Sequence, residues 1–167
     1  MWLGCALVWG TRHARICGLL AVAVLVSACG GSKHDTKADF VARANAICTK
    51  TLSQTRAITP PPSTSQPGGA LAAYLGQLVP LLRSEADQIQ ALKRPSGGSA
   101  QDRRVLAKYL AALGQVVSAY RQLEAAAKRG DAQAIADVEA TLRANPAADL
   151  AASYGLRACG TPGGTAA

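Results

Sequence analysis

The feature that most constrains the fold of this chain is the spacing of apolar side chains between Thr36 and Gly155. These side chains recur every three or four positions, the period of one face of an α-helix, and no stretch shows a convincing strand pattern. The sequence therefore predicts an all-α domain. The recurring residues are Phe40, Val41, Ala44, Ile47, Cys48 and Leu52; Leu71, Leu75, Leu78, Leu82, Ala86, Ile89 and Leu92; Leu106, Leu110, Leu113, Val117, Tyr120, Leu123 and Ala127; and Ile135, Val138, Leu142, Leu150, Ala151 and Tyr154.

Capping signals and prolines divide this pattern into four predicted helices. Thr36 and Ser99 each begin a capping box, with an aspartate three residues later, and Gly130 is placed to end the third helix. Four amphipathic helices with short connections predict an antiparallel four-helix bundle. The predicted helices run from Thr36 to before Thr59, from about Ala70 to Lys93, from Ser99 to about Lys128, and from Asp131 on to Gly155.

Two prolines interrupt these helices. Pro80 lies inside the second helix, and we expect a kink there because the apolar stripe continues past it. Asn145-Pro146 lies inside the fourth predicted helix. It is either a break or a restart, with Asn145 as the cap and Pro146 at the first helical position.

A different pattern precedes the helices. An apolar run follows Arg12 and Arg15 and ends in Val26-Ser27-Ala28-Cys29, the layout of a secretory signal. These four residues resemble the lipobox of bacterial lipoproteins. The resemblance implies that the preceding peptide is removed and that Cys29 carries a diacylglyceryl thioether. It also implies that the protein is held on the outer face of the cell membrane by this lipid.

Two other interpretations of this leader are open. Ordinary signal peptidase also accepts such a small-residue site and would leave Cys29 free. An uncleaved membrane helix is disfavoured, because a span needs about 20 apolar residues and this run is shorter. The basic residues come late, so we expect translation to begin near Val8, the alternative being an unusually long leader.

The chain is therefore predicted to comprise a signal peptide (1–28), a tether (29–36), a helical domain (37–160) and a disordered tail (161–167). Loss of Arg12 and Arg15 with the leader lowers the formal net charge from +8 to +6. Such a balance suits anionic surfaces such as lipid head groups or acidic wall polymers. The basic residues are scattered singly or in pairs, however, which favours a surface that is merely solvated. No nucleic-acid motif is present, and we expect no nucleic-acid partner.

The domain lacks the residues of the common catalytic centres. It contains no histidine, so neither a Ser-His-Asp nor a Cys-His centre can be built, and histidine ligation of zinc or haem is excluded. Glu85 and Asp87 are two positions apart and hence point to diverging faces of one helix. No glycine-rich phosphate loop is present. We therefore expect no catalytic, cofactor or metal site, although a carboxylate pair could still meet across helices.

Five cysteines are present, and their positions predict one disulfide. Cys5 and Cys17 leave with the leader and Cys29 is the lipidation site, so Cys48 and Cys159 remain. An even pair in an exported protein is usually bonded. The alternative is two buried free thiols.

Two short pieces of the domain resemble small exported helical proteins of high-GC Gram-positive bacteria. These pieces are Asn45-Ala46-Ile47-Cys48 and Tyr154-Gly155-Leu156-Arg157-Ala158-Cys159-Gly160. The resemblance implies the same cysteine pairing and brings no activity with it.

Three function classes follow. The favoured one is a non-enzymatic envelope lipoprotein that binds another envelope component. The second is a carrier of a small apolar ligand or lipid within the bundle, opened at Pro80. A pocket lined by Leu78, Leu82, Leu113 and Val117 would support the carrier. An enzyme ranks last, for want of a nucleophile and base.

Overall fold

The computed structural model describes residues 35–62 and 68–160, and this part of the chain is all-helical. The predicted leader, Cys29, most of the tether and the predicted tail lie outside the described residues. The five helices of the described part are α1 (Lys37–Arg56), α2 (Gly69–Ala91), α3 (Ala100–Arg129), α4 (Ala132–Arg143) and α5 (Ala147–Tyr154). The prediction of an all-α domain is confirmed.

The predicted capping boxes begin α1 and α3. The Thr36 hydroxyl accepts from the backbone N–H of Asp39 at 3.1 Å, and the Asp39 carboxylate accepts from the Thr36 N–H at 3.1 Å. Ser99 and Asp102 exchange the same two bonds at 3.0 and 3.2 Å. Each box satisfies N–H groups that lack a partner within the helix, so these two helix starts are set locally.

The connection from α3 to α4 also follows local chemistry. Gly130 ends α3 with a φ of 68°, in the left-handed region that glycine adopts without a steric penalty. The Asp131 carboxylate then accepts from the backbone N–H of Ala134 at 3.0 Å and caps α4. Both assignments were predicted from the sequence.

The two interior prolines have different outcomes. Pro80 lies within one uninterrupted helix, α2, and the kink expected there stays a prediction. At the second proline, α4 ends at Arg143 and α5 begins at Ala147. Pro146 occupies the N-cap rather than the first helical position. The side-chain oxygen Oδ1 of Asn145 accepts from the backbone N–H of Ala147 at 2.9 Å.

Packing places α3 at the centre of the domain. It contacts α2, α4 and α5, whereas α1 packs against α2. The antiparallel four-helix arrangement stays a prediction. Buried apolar side chains form two clusters. The first cluster contains Phe40, Ala44, Cys48, Ala86, Ile89, Leu106, Tyr109, Leu113, Ala151, Tyr154 and Leu156. The second cluster contains Leu71, Leu75, Leu78, Leu123, Ala126, Ala127 and Ile135.

Candidate ligand cavity

A cavity of about 480 Å³ lies where the two core clusters meet. Its lining includes Cys48, Tyr109 and Leu113 from the first cluster and Leu78 from the second. The volume falls within the range of about 300–1,000 Å³ found for small-molecule pockets. The helices therefore surround a space large enough for a small ligand.

Most of the lining is apolar, and all five helices contribute to it. The four residues named in support of the carrier hypothesis, Leu78, Leu82, Leu113 and Val117, all line this cavity. The other apolar lining residues are Leu52, Val116, Leu142, Ala147, Ala148 and Ala158. Such a surface favours an apolar ligand, because transfer of apolar area from water is favourable.

Seven polar side chains interrupt this apolar lining. Three of them, Thr51 of α1, Glu85 of α2 and Tyr109 of α3, are called the polar group below; the other four are Thr55, Tyr120, Arg143 and Asn145. Thr51 and Tyr109 are only 6% and 1% exposed. Burial raises the pKa of the Glu85 carboxyl, and the neighbouring Thr51 hydroxyl opposes part of that shift. Burial, and then the negative charge of Glu85, raise the pKa of the Tyr109 hydroxyl.

The hydrogen-bonding state of Tyr109 distinguishes the polar group from the rest of the core. Among side-chain oxygens and nitrogens buried in the described part of the chain, only the Tyr109 hydroxyl has no hydrogen-bond partner. Buried polar atoms are nearly always bonded, and an unbonded one costs about 1–3 kcal/mol. This hydroxyl therefore has an unused capacity to donate.

The predicted disulfide forms part of the cavity lining. Cys48 and Cys159 are bonded, with their Cα atoms 5.1 Å apart. The bond joins α1 to the segment that follows α5. Both cysteines line the cavity, so the crosslink lies beside the space that a ligand would occupy.

Asn45 holds the same terminal segment against α1. Its side-chain amide donates to the Gly155 carbonyl at 3.3 Å, and its carbonyl oxygen accepts from the Ala158 N–H at 3.0 Å. Residues 45–48 of α1 and residues 154–160 are therefore in contact. Asn45 and the disulfide position the last residues that complete the cavity.

A wider groove of about 700 Å³ lies on another face, between α2 and α3, and is a weaker candidate. Four of its five charged side chains form ion pairs, Lys128 with Glu124 at 2.5 Å and Arg83 with Asp87 at 3.8 Å, and the fifth is Arg121. These pairs occupy most of the charged groups that could recognise a ligand. The groove also lacks an unbonded buried polar atom, since the Tyr109 hydroxyl belongs to the other cavity.

Sequence reasoning missed the polar group, although a signal was present. Glu85 follows Leu78 and Leu82 at helical spacing, so a carboxyl group lies in register with an apolar stripe. The expectation that Glu85 and Asp87 diverge agrees with the structure, in which Asp87 is exposed and Glu85 is half-buried. Tyr109 was missed because Leu110, beside it, was assigned to the stripe.

Within residues 35–62 and 68–160, no three or more histidine, cysteine or acidic side chains come together as a metal site. None of the described helices is long and apolar enough to cross a membrane. Comparison with known protein families, with curated proteins and with solved structures found no match to this chain.

Proposed function

We propose that this chain is an exported, lipid-anchored envelope protein whose helical domain binds a small apolar molecule without chemically transforming it. The observation that carries the proposal is the cavity of about 480 Å³ and its largely apolar lining. The cavity is partly open to solvent and presents apolar side chains there, so a ligand that covers them removes apolar area from water.

The proposed arrangement is an antiparallel four-helix bundle in which α4 and α5 together take the fourth position. Contacts of α3 with α2, α4 and α5, and of α1 with α2, support this arrangement. A kink at Pro80 would let the first half of α2 move relative to the second. Leu78 and Leu82 stand on either side of Pro80 and line the cavity, so such a movement would open it.

The proposed anchor is a diacylglyceryl group on Cys29 after removal of residues 1–28. The support is the small-residue site before Cys29 and the apolar run that precedes it. The acyl chains, including a palmitate-type chain, would hold the domain at the outer face of the cell membrane. Two chains are needed, because one gives only marginal, reversible binding.

In this proposal, the envelope component expected from the sequence is the site that supplies or receives the bound molecule. A bound apolar molecule must be received from one site and delivered to another. An envelope protein, an anionic wall polymer or the membrane itself can serve as that site. The net charge of +6 that remains after loss of Arg12 and Arg15 suits an anionic surface.

Cavity filling tests the binding role. Leu82 lines the cavity, whereas the adjacent Leu81 does not, so Leu82→Trp and Leu81→Trp form a matched pair. Each protein would be isolated from the exporting cell in a bulky steroidal detergent and analysed by native mass spectrometry. We expect a small molecule to remain bound to the wild-type protein and to Leu81→Trp, and to be lost from Leu82→Trp.

Two results would contradict the binding role. One is wild-type protein that carries no small molecule and takes up no added long-chain compound. The other is Leu82→Trp that retains as much ligand as Leu81→Trp. Circular dichroism melting of both variants shows whether each is folded, so loss of ligand can be separated from loss of structure.

A separate experiment tests the anchor. Growth with a radioactive fatty acid should label the wild-type protein and leave Cys29→Ala unlabelled. Both tryptophans, Trp2 and Trp9, precede Cys29, so mature labelled protein should show tyrosine fluorescence alone. Unlabelled wild-type protein, or tryptophan emission from the purified membrane form, would refute the anchor.

A further inference from the structure

We propose that the polar group of the cavity selects a ligand with an uncharged hydroxyl head and an apolar chain, such as a long-chain alcohol. This inference rests on the proposed function and adds the chemical class of the ligand. Tyr109 offers a hydrogen-bond donor and Glu85 an acceptor for the head of the ligand, and the apolar lining around them accommodates its chain.

The Tyr109 hydroxyl supplies the first half of the recognition. The Tyr109 side chain is 1% exposed and lines the cavity, and its buried hydroxyl has no hydrogen-bond partner. A ligand oxygen placed in the cavity would accept from this hydroxyl. This hydrogen bond would favour binding, because the Tyr109 hydroxyl lost its bonds to water when the domain folded and has no partner in the protein.

The Glu85 carboxyl supplies the second half of the recognition. No basic side chain in the described part of the chain forms an ion pair with Glu85, so its charge is not neutralised there. A ligand hydroxyl can donate to this carboxyl while it accepts from Tyr109. An anionic head would instead bring a second negative charge into a half-buried site, where like charges repel strongly.

The remaining lining fits an apolar chain. Leu78, Leu82, Leu113 and Val117 contribute from α2 and α3, and besides Glu85 the one charged residue of the lining is Arg143. The lining residue Arg143 is exposed and forms an ion pair with Glu139 at 3.8 Å. The head of the ligand is therefore assigned to the polar group and its chain to the apolar lining.

The experiment compares two probes that share a chain and differ in their heads. Decan-1-ol and decanoate, each radiolabelled, would be equilibrated by dialysis at neutral pH with the intact protein in steroidal detergent. The detergent is present on both sides of the dialysis membrane, so differences in probe binding among the variants come from the protein and not from the detergent. We expect the alcohol to bind at least about tenfold more tightly than the carboxylate, the effect of about one unfavourable charge contact.

Two variants assign this preference to the polar group. Glu85→Gln removes the charge and keeps the shape, and should lower the preference for the alcohol about tenfold, mainly through tighter binding of decanoate. Tyr109→Phe removes the hydroxyl alone and should weaken the alcohol about fivefold to tenfold. The matched controls, Asp87→Asn on the exposed face of α2 and Tyr154→Phe in the core outside the cavity, should leave both affinities unchanged.

The outcomes separate this inference from the function on which it rests. Equal binding of both probes, tighter binding of decanoate, or an unchanged preference in Glu85→Gln would overturn the assignment and leave the carrier function standing. Absence of binding for both probes, with the protein folded by circular dichroism, would overturn the carrier function itself. Tyr109→Phe keeps the ring that fills the core, so it should remain folded and can be interpreted.

Discussion

At the scale of single residues, we expect the burial of Glu85 to lower the stability of the domain at neutral pH. This residue is an acid in register with an apolar stripe, and burial raises the pKa of its carboxyl above the ordinary value of 4.5. The folded protein therefore holds the proton on Glu85 more tightly than the unfolded chain does. Between the two pKa values, stability falls as the pH rises, because the native state binds more protons there.

The fall in stability with rising pH predicts how Glu85→Gln changes the melting temperature. At neutral pH the variant should melt at a higher temperature than the wild-type protein, because it carries no charge that must be desolvated. The gain should shrink as the pH falls and should nearly vanish below about pH 4, where the glutamate is protonated in both states. Thermal melts at several pH values measure it, with Asp87→Asn as the control.

A gain in melting temperature that is independent of pH would show that packing, rather than the charge of Glu85, causes the difference between Glu85→Gln and the wild-type protein. A lower melting temperature for Glu85→Gln at neutral pH would show that the carboxylate forms stabilising contacts in the ligand-free protein. Either result would contradict the explanation given for this residue.

At the scale of the helices, the start signals are local and the sequence predicts them. Thr36, Ser99 and Asp131 cap their helices through bonds to residues three positions later, as their spacing indicates. The division of the predicted fourth helix is less local. Asn145 also donates to the Ala112 carbonyl of α3 at 3.4 Å, a contact that no pattern near Asn145 contains.

Asn45 provides a prediction at this scale, because it links α1 to the chain that follows α5. Asn45→Ala removes two hydrogen bonds and leaves the Gly155 carbonyl and the Ala158 N–H without them. We expect the free energy of unfolding to fall by about 1–3 kcal/mol, measured by urea titration.

The matched control for Asn45 is Gln54→Ala, on the exposed face of the same helix. It should stay within about 0.5 kcal/mol of the wild-type protein. If Asn45→Ala also stays within that limit, the disulfide alone would be holding the terminal segment in place.

For the whole molecule, the disulfide between Cys48 and Cys159 closes most of the domain into one loop. The two cysteines are 111 positions apart in sequence, and the bond limits the freedom of the unfolded chain. In the chain-entropy model a loop of this size contributes about 4–5 kcal/mol. That is a large share of the about 5–15 kcal/mol typical of a domain.

We therefore expect the double variant Cys48→Ala/Cys159→Ala to lose about 4–5 kcal/mol in free energy of unfolding by urea titration. A reductant should shift the midpoint of the wild-type protein toward that of the double variant. It should leave the double variant unchanged, which is the control for effects of the reductant itself. Equal stability of the two proteins without reductant would contradict a stabilising role for the bond.

What the sequence by itself determined about this protein is what depends on neighbours along the chain. Helical periodicity established the all-α class and most of the buried stripe, and capping residues established where three of the helices begin. If Cys5 and Cys17 leave with the predicted leader and Cys29 carries the predicted lipid, one pair remains for a bridge. Each of these inferences uses residues a few positions apart or a count of cysteines, so no knowledge of the packing was needed.

Only the tertiary structure decided which parts of different helices meet. It buried Tyr109 and left the adjacent Leu110 half-buried, because the rotation of α3 about its axis is set by contacts with its neighbours. It brought Thr51, Glu85 and Tyr109 of three helices to one cavity. No local signal encodes such a meeting, since it arises when side chains of all the packed helices compete for the same interior volume.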